Sequence, residues 1–326
     1  MDIIYHPIFL EHDTGMHPES RKRFDCFPKL DASDFPSGEG FLTLVHTSEY
    51  IQKVKEACAA GMPLDHDTMT SKKSYAAACM AVGATIAASE RGGLALCRPP
   101  GHHAHADRAS GFCLFNNVAI AAQKLVNEGK RVLIFDFDGH LGDGTEKFFY
   151  ATDAVMYFSL HQYPAFPGWG DESQIGEGKG KGYSVNVPLP LKAGDDIFRL
   201  AVERFLPVCE QFKPDAIAVS AGFDAHQYDL LLDLRLSLQS FHWMGKLLKE
   251  RFSVPLFATL EGGYNVEMLP KCVASFVAGI EGKPYLFSEE ETDSAIMVID
   301  EYEARADRLE RKLCKFWKVG SMANGN

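Results

Sequence analysis

The chain has 326 residues, 46% hydrophobic and 24% charged, which suits a soluble globular protein of one large α/β domain or two smaller ones. Its 33 Lys and Arg against 44 Asp and Glu give a formal net charge of −11, which argues against binding nucleic acid or an anionic membrane through bulk electrostatics. No run approaches the ~18 apolar residues of a membrane span, and the eight cysteines are scattered without a C-x-x-C pair, so a cytoplasmic protein with reduced thiols is expected and a structural zinc knot is not.

Along the chain, short β-rich runs recur at 3–5, 94–97, 132–137, 155–160, 183–187, 216–220 and 255–259. Between them, segments such as NNVAIAAQKLVNEG and IFRLAVERFLPVCEQF place apolar residues at helical spacing. Most strand runs are apolar throughout, as in a sheet covered on both faces. Strand alternating with helix predicts a single doubly wound, mostly parallel sheet. The stretches LALCRPPGHHAH, LIFDFDGH, YFSLHQ, IAVSAGFDAH and LFATLEGGY each pass from apolar strand to polar or Gly-rich loop at the strand's C-terminal end. That rim is where open α/β sheets bind ligands.

In VLIFDFDGHLGDGT the apolar run breaks into Asp136, Asp138, His140 and Asp143, a costly set to bury unless something positive sits among them. Asp138 and His140 lie two apart, so on a strand both would project to one face. A carboxylate beside an imidazole suits a divalent metal, although an ordinary strand-end Asp–His hydrogen bond has the same spacing. Asp224 in SAGFDAH adds a third strand-end ligand, making an open Asp/His/Asp set of the catalytic kind. His102 and His103 stand in tandem after a Pro-Pro-Gly turn, and Asp136 and Asp143 remain to accept one N–H from each. Tyr264 follows the Gly-Gly of EGGY; a lone tyrosine usually packs, but beside a metal a phenol stabilises an oxyanion.

Taken in order, RPPGHHAHADRASGFCLFNNVAIAAQ, DFDGHLGDGT, SLH and FPGWGD, AGFDAH and LEGGY resemble the histone deacetylase superfamily, which includes lysine deacetylases and acetylpolyamine amidohydrolases. The resemblance spans residues 1–285 and is closest to the bacterial and class II-like branch. It implies an arginase–deacetylase α/β fold with about eight strands in its sheet. It also implies a catalytic zinc ion on Asp138, His140 and Asp224, with iron(II) acceptable to the same donors. By motif position, His102 and His103 are the tandem pair backed by Asp136 and Asp143, and Tyr264 is the oxyanion tyrosine. Gly111, Phe112, Phe166 and Gly262 would contact substrate, with the two phenylalanines as walls of an acyl-lysine tunnel. A potassium site would draw on Asp136, Asp138, His140, Ser159 and Leu160.

The departures from that pattern carry expectations of their own. Leu141 stands where relatives have a second histidine that is not a ligand, so the surroundings should change without loss of metal. Gly139 replaces an apolar residue and is expected to loosen the strand end. Trp169 is expected to narrow or lid the mouth. The segment QYDLLLDLRLS replaces a loop that usually reads D-P-L-G-G, so substrate preference is the least transferable property. Asp229 and Asp233, or Asp65 and Asp67, are candidates for an acidic gate favouring cationic amines, although such residues are ordinarily solvated loop carboxylates.

At the C-terminus, Ile299, Tyr302, Ala306, Leu309, Leu313 and Phe316 form an apolar stripe on a charged helix. The segment 286–326 therefore reads as an extension that packs on the catalytic domain or pairs two chains into a homo-oligomer. The expected function is zinc-dependent removal of acetyl groups from acetyl-lysine or acetylpolyamines. Two rivals are a catalytically weak acyl-binding scaffold and a two-manganese ureohydrolase; the latter lacks ligands, with Phe137 and Ala225 where more would be needed.

Overall fold

The computed structural model describes residues 1–319. Each apolar run found in the sequence contributes one strand: β1 (Ile3–Ile4), β2 (Leu94–Ala95), β3 (Val132–Asp136), β4 (Val155–Gln162), β5 (Ser184–Leu189), β6 (Ala216–Ala221) and β7 (Leu256–Leu260). They form one sheet in the order β1-β2-β7-β6-β3-β4-β5, every neighbouring pair parallel. The expected sheet of about eight strands is corrected to seven among the described residues, because only the seven runs read from the sequence pair into the sheet, with two-residue β1 and six-residue β5 as its edges. β3, β4, β5 and β6 are buried along their whole length, which explains why β3, β4 and β6 are largely apolar without alternation.

The helices are α1 (Ser48–Ala60), α2 (Ser74–Arg91), α3 (Asn117–Asn127), α4 (Asp143–Phe149), α5 (Asp195–Phe212), α6 (Leu238–Arg251), α7 (Leu269–Ile280) and α8 (Ile296–Leu313). Among the described residues no helix is long and apolar enough to cross a membrane. Asn116 caps α3 by accepting from Ala119 N–H at 3.0 Å, and its side-chain amide donates to the carbonyls of His102 and Ala104. One cap thus starts a helix and fixes the tandem-histidine loop.

The topology dictates where a site can form. From β3 the chain moves outward through β4 to β5, then returns to the other side of β3 as β6 and continues to β7. The direction reverses between β3 and β6, whose Asp136 and Ser220 are register partners. Loops leaving adjacent strands in opposite directions open a crevice at the C-terminal edge. α8 lays Tyr302, Ala306, Leu309 and Leu313 against the sheet domain, where all four are buried, while Ile296, Met297 and Phe316 remain exposed.

Candidate active site

β3 stops at Asp136, so Asp138 and His140 do not project from a strand, contrary to the period-two expectation. Residues 137–140 form a bend built by the carboxylates themselves. Asp136 Oδ1 accepts from Asp138 N–H at 3.1 Å, and Asp138 Oδ1 accepts from His140 N–H at 2.9 Å. The bend faces Asp224, which follows β6 across the switch point. Ligand atoms of Asp138, His140 and Asp224 all lie within 4.8 Å of one another.

The cluster is held tightly. Gly262 N–H donates to Asp138 Oδ2 and Gly139 N–H to Asp224 Oδ1, each at 2.7 Å. A Cβ at Gly222 would stand 1.9 Å from Asp138 Oδ2, and one at Gly262 2.5 Å from Asp224 Oδ2, so only glycine lets these loops approach the carboxylates. Gly139 does not loosen the bend as expected. Leu232 from the loop after Asp224 fills the space, its Cδ1 lying 2.2 Å from where a Cβ would be.

Two imidazole–carboxylate pairs stand beside the cluster. His102 Nδ1 lies 3.2 Å from Asp136 Oδ2, and His103 Nδ1 lies 2.8 Å from Asp143 Oδ1, with the rings 4.0 Å apart. Asp136 also accepts from Tyr157 OH at 2.9 Å. Asp143 has a partner the sequence did not reveal: His105 Nε2 at 2.7 Å, beside which Trp169 lines a cavity of about 300 Å³. Trp169 is exposed.

The electrostatics follow from burial. Burial opposes charge on the His140 imidazole, but the Asp224 and Asp138 carboxylates raise its pKa to about 10. Burial and then the Asp138 charge raise Asp224 to about 7. Burial, reinforced by neighbouring His102, lowers His103 to about 4, whereas Asp138 and Asp136 overcome burial and raise His102. Burial likewise raises the Tyr264 phenol well above its ordinary value. Two buried carboxylates and a half-buried imidazole so close hold a proton where a divalent cation would satisfy the same donors. The donor set fits a metal ion.

The remaining candidates surround this centre. Phe112 packs edge-on against Tyr264 at 5.7 Å, and Phe166 against His103 at 5.0 Å. Gly111 lies between His103 and Phe166, where a Cβ would meet both. Gly111 and Phe112 have φ of 52° and 69°, a left-handed pair that is strained at the phenylalanine. Ser159 neighbours Asp136 across β3 and β4 and bonds His161 Nδ1 at 2.9 Å, and Leu160 is buried beside it. Asp229 is no free acid: Oδ1 accepts from Leu230 and Leu231 N–H, and Oδ2 from Tyr264 and Asn265 N–H. Asp233 is exposed, and its backbone bonds Gln162 and Lys192. Asp65 caps its own turn, and Asp67 pairs with His17 at 3.4 Å.

The sequence reading also missed Glu261, fully buried, whose Oε2 accepts the N–H of Gly101 and His102 at 2.6 and 3.1 Å. Burial raises its pKa to about 7. An acid immediately after an apolar strand was the available signal. Arg23 joins this layer, donating to the Glu261 and Gly263 carbonyls and lying 5.0 Å over the Tyr264 ring.

A parallel sheet with a candidate metal cluster and paired histidines at its switch point has the layout of a hydrolase with an α/β fold. Comparison narrows this to one family. The histone deacetylase domain model matches residues 17–280. A probable deacetylase of Methanothermobacter thermautotrophicus is 35% identical, covering 95% of this chain and 98% of that protein. Histone deacetylase 14, chloroplastic, of Arabidopsis thaliana is 42% identical over 86% of this chain and 76% of its own. The crystal structure of the HDA15 HD domain superposes with a TM-score of 0.87 at 27% identity, covering 97% of this chain and 94% of that one. The chain belongs to the histone deacetylase family.

Proposed function

We propose that this family member hydrolyses the acetyl amide of N-acetylated amines, acetyl-lysine side chains or acetylpolyamines, with zinc as the resident ion. Asp138, His140 and Asp224 would hold the ion, which when bound polarises the acyl carbonyl and lowers the pKa of water. His103 commits Nδ1–H to Asp143, which leaves Nε2 to take the proton of the attacking water and return it to the departing amine. Its lowered pKa keeps it neutral, and so a competent base, at neutral pH. His102, held charged between Asp136 and Asp138, offsets negative charge as it develops. The Tyr264 phenol, kept protonated by burial, donates to the oxyanion. A potassium ion near Asp136, Ser159 and Leu160 belongs to the same reading and would further balance the buried acids.

The observation that supports this best is the convergence of the 4.8 Å Asp–His–Asp cluster with the His103–Asp143 pair at 2.8 Å. Acetate release from an acetyl-lysine amide, measured with defined metal loading and elemental analysis, tests it. One zinc ion per chain and chelator-sensitive hydrolysis are expected. A fully loaded protein inert on both acetyl-lysine and acetylpolyamines would overturn the reading.

A further inference from the structure

We propose that the mouth of the site selects an acylated lysine carried in a peptide with apolar neighbouring side chains, in preference to a free polyamine; this rests on the deacetylase reading above. The mouth closes into a ring that can be followed contact by contact. Phe166 packs on His103 and reaches His140 at 6.4 Å between centroids. Beside His140, Gly139 gives its space to Leu232. The loop continues back through Leu231 and Leu230 to Asp229, which binds the backbone of Tyr264. Tyr264 meets Phe112, Phe112 meets His17 at 4.6 Å, and Gly111 returns to His103 and Phe166.

The loop over 228–233 is pinned at both ends. Asp229 accepts four backbone N–H groups, the Tyr228 carbonyl accepts from Asn265 Nδ2 at 2.7 Å, and Asp233 N–H donates to Gln162 Oε1 at 2.8 Å. Anchored in this way, it presents its apolar side chains to solvent: Leu230 is 70% exposed and Tyr228 57%. On the histidine side of the opening Phe166 is 45% exposed. Single exposed apolar residues are ordinary, but large ones on two sides of one opening form a surface that gains by being covered.

Of the acids on that loop, Asp229 has its oxygens committed to amides, so an ammonium there would compete with four backbone bonds, while Asp233 lies exposed at the loop's far end, where its backbone bonds Gln162 and Lys192. Shape then selects the occupant. A linear amine leaves the tunnel in one direction and covers one side of the collar. A peptide runs in two directions from its lysine and covers both.

The test uses the full chain loaded with zinc and labelled acetyl-lysine peptides bearing Leu and Phe, or Ser and Asp, on either side of the lysine, with acetylspermidine as a further substrate. Hydrolysis and equilibrium binding by anisotropy are both read. The apolar-flanked peptide is expected to exceed the polar-flanked one about tenfold in kcat/KM, through KM, and to bind correspondingly tighter. In a Leu230→Ser/Leu231→Ser double variant, and separately in Tyr228→Ser, that ratio should shrink to about threefold or less. Equal binding of the two peptides, an undiminished ratio in both variants, or acetylspermidine turned over as well as the apolar peptide would each overturn the collar. Preferential binding without any hydrolysis would sustain the collar and overturn only the deacetylase reading.

Discussion

Two buried charge clusters lie under the same loops and behave differently. Beneath the N-terminal segment, Glu19 is fully buried but sits between two guanidinium groups: Arg98 binds it through Nε at 2.5 Å and through a terminal nitrogen at 2.8 Å, and Arg23 at 3.2 Å. Burial raises the Glu19 pKa, yet Arg98 and His12 outweigh it and hold it well below the ordinary range. At the switch point, Asp136, Asp138 and Asp224 are equally buried with only imidazoles among them. The first cluster is complete in the polypeptide and fastens the chain. The second is acid-rich and stays in a low-dielectric site only with a proton or cation from outside. Equal burial with unequal compensation separates a structural cluster from a functional one.

The strongest test of that contrast is Asp138→Ala. Elemental analysis should show lost zinc and assays only background hydrolysis, while the cooperative unfolding transition persists. Full zinc occupancy would erase the distinction between the clusters. Tyr264→Phe should retain the metal and lose about 10²–10³ in kcat, because one oxyanion donor is removed from a formed site. Glu19→Ala should leave two buried guanidinium groups uncompensated and cost about 3–5 kcal/mol in urea unfolding, whether or not metal is present. A metal-dependent loss there would merge the two clusters into one.

Acid sharpens the comparison further. Burial lowers His46 and His161 to about 4. His46 lies 2.9 Å from both the His105 carbonyl and Asn116 N–H, so its neutral form donates from Nδ1 and accepts at Nε2. Because folded values lie below the unfolded 6.5, the unfolded chain binds protons first. The stability held above pH 6.5 is therefore lost as pH falls towards 4, by roughly 3 kcal/mol for each histidine at the acid end. Unfolding followed across that window in wild type and His46→Gln should show a shallower slope in the variant. The smallest effect belongs to the surface. Arg204 contacts Glu303, Asp307 and Glu310 of α8 at 2.6–2.8 Å, but solvent reaches those acids, so Arg204→Ala should shift stability by about 1 kcal/mol or less.

Much of this was legible in the chain itself. Seven apolar runs announced seven strands, and the polar breaks after β2, β3, β4, β6 and β7 marked the rim, because both signals are local and a strand buried on two faces admits few polar residues. Residues quoted from five separated motifs, among them His102, His103, Asp138, His140, Asp224 and Tyr264, do lie together. The partner of each was less visible. Nothing near Asp143 in sequence shows that it holds His105 as well as His103, and nothing near Asp229 shows that its oxygens serve the amides of Tyr264 and Asn265.

Local sequence thus determined the strand set, the rim that carries the chemistry and the residue types placed there, since periodicity and chain polarity act over a few residues. Closure of the sheet alone decided that Asp138 and His140 would act from a bend, that Leu232 would fill the space beside Gly139, and that Glu261 would bind the backbone of His102. Those outcomes depend on groups up to 159 residues apart meeting at one switch point. Such meetings are fixed by how strands order in space, which no short stretch of chain encodes.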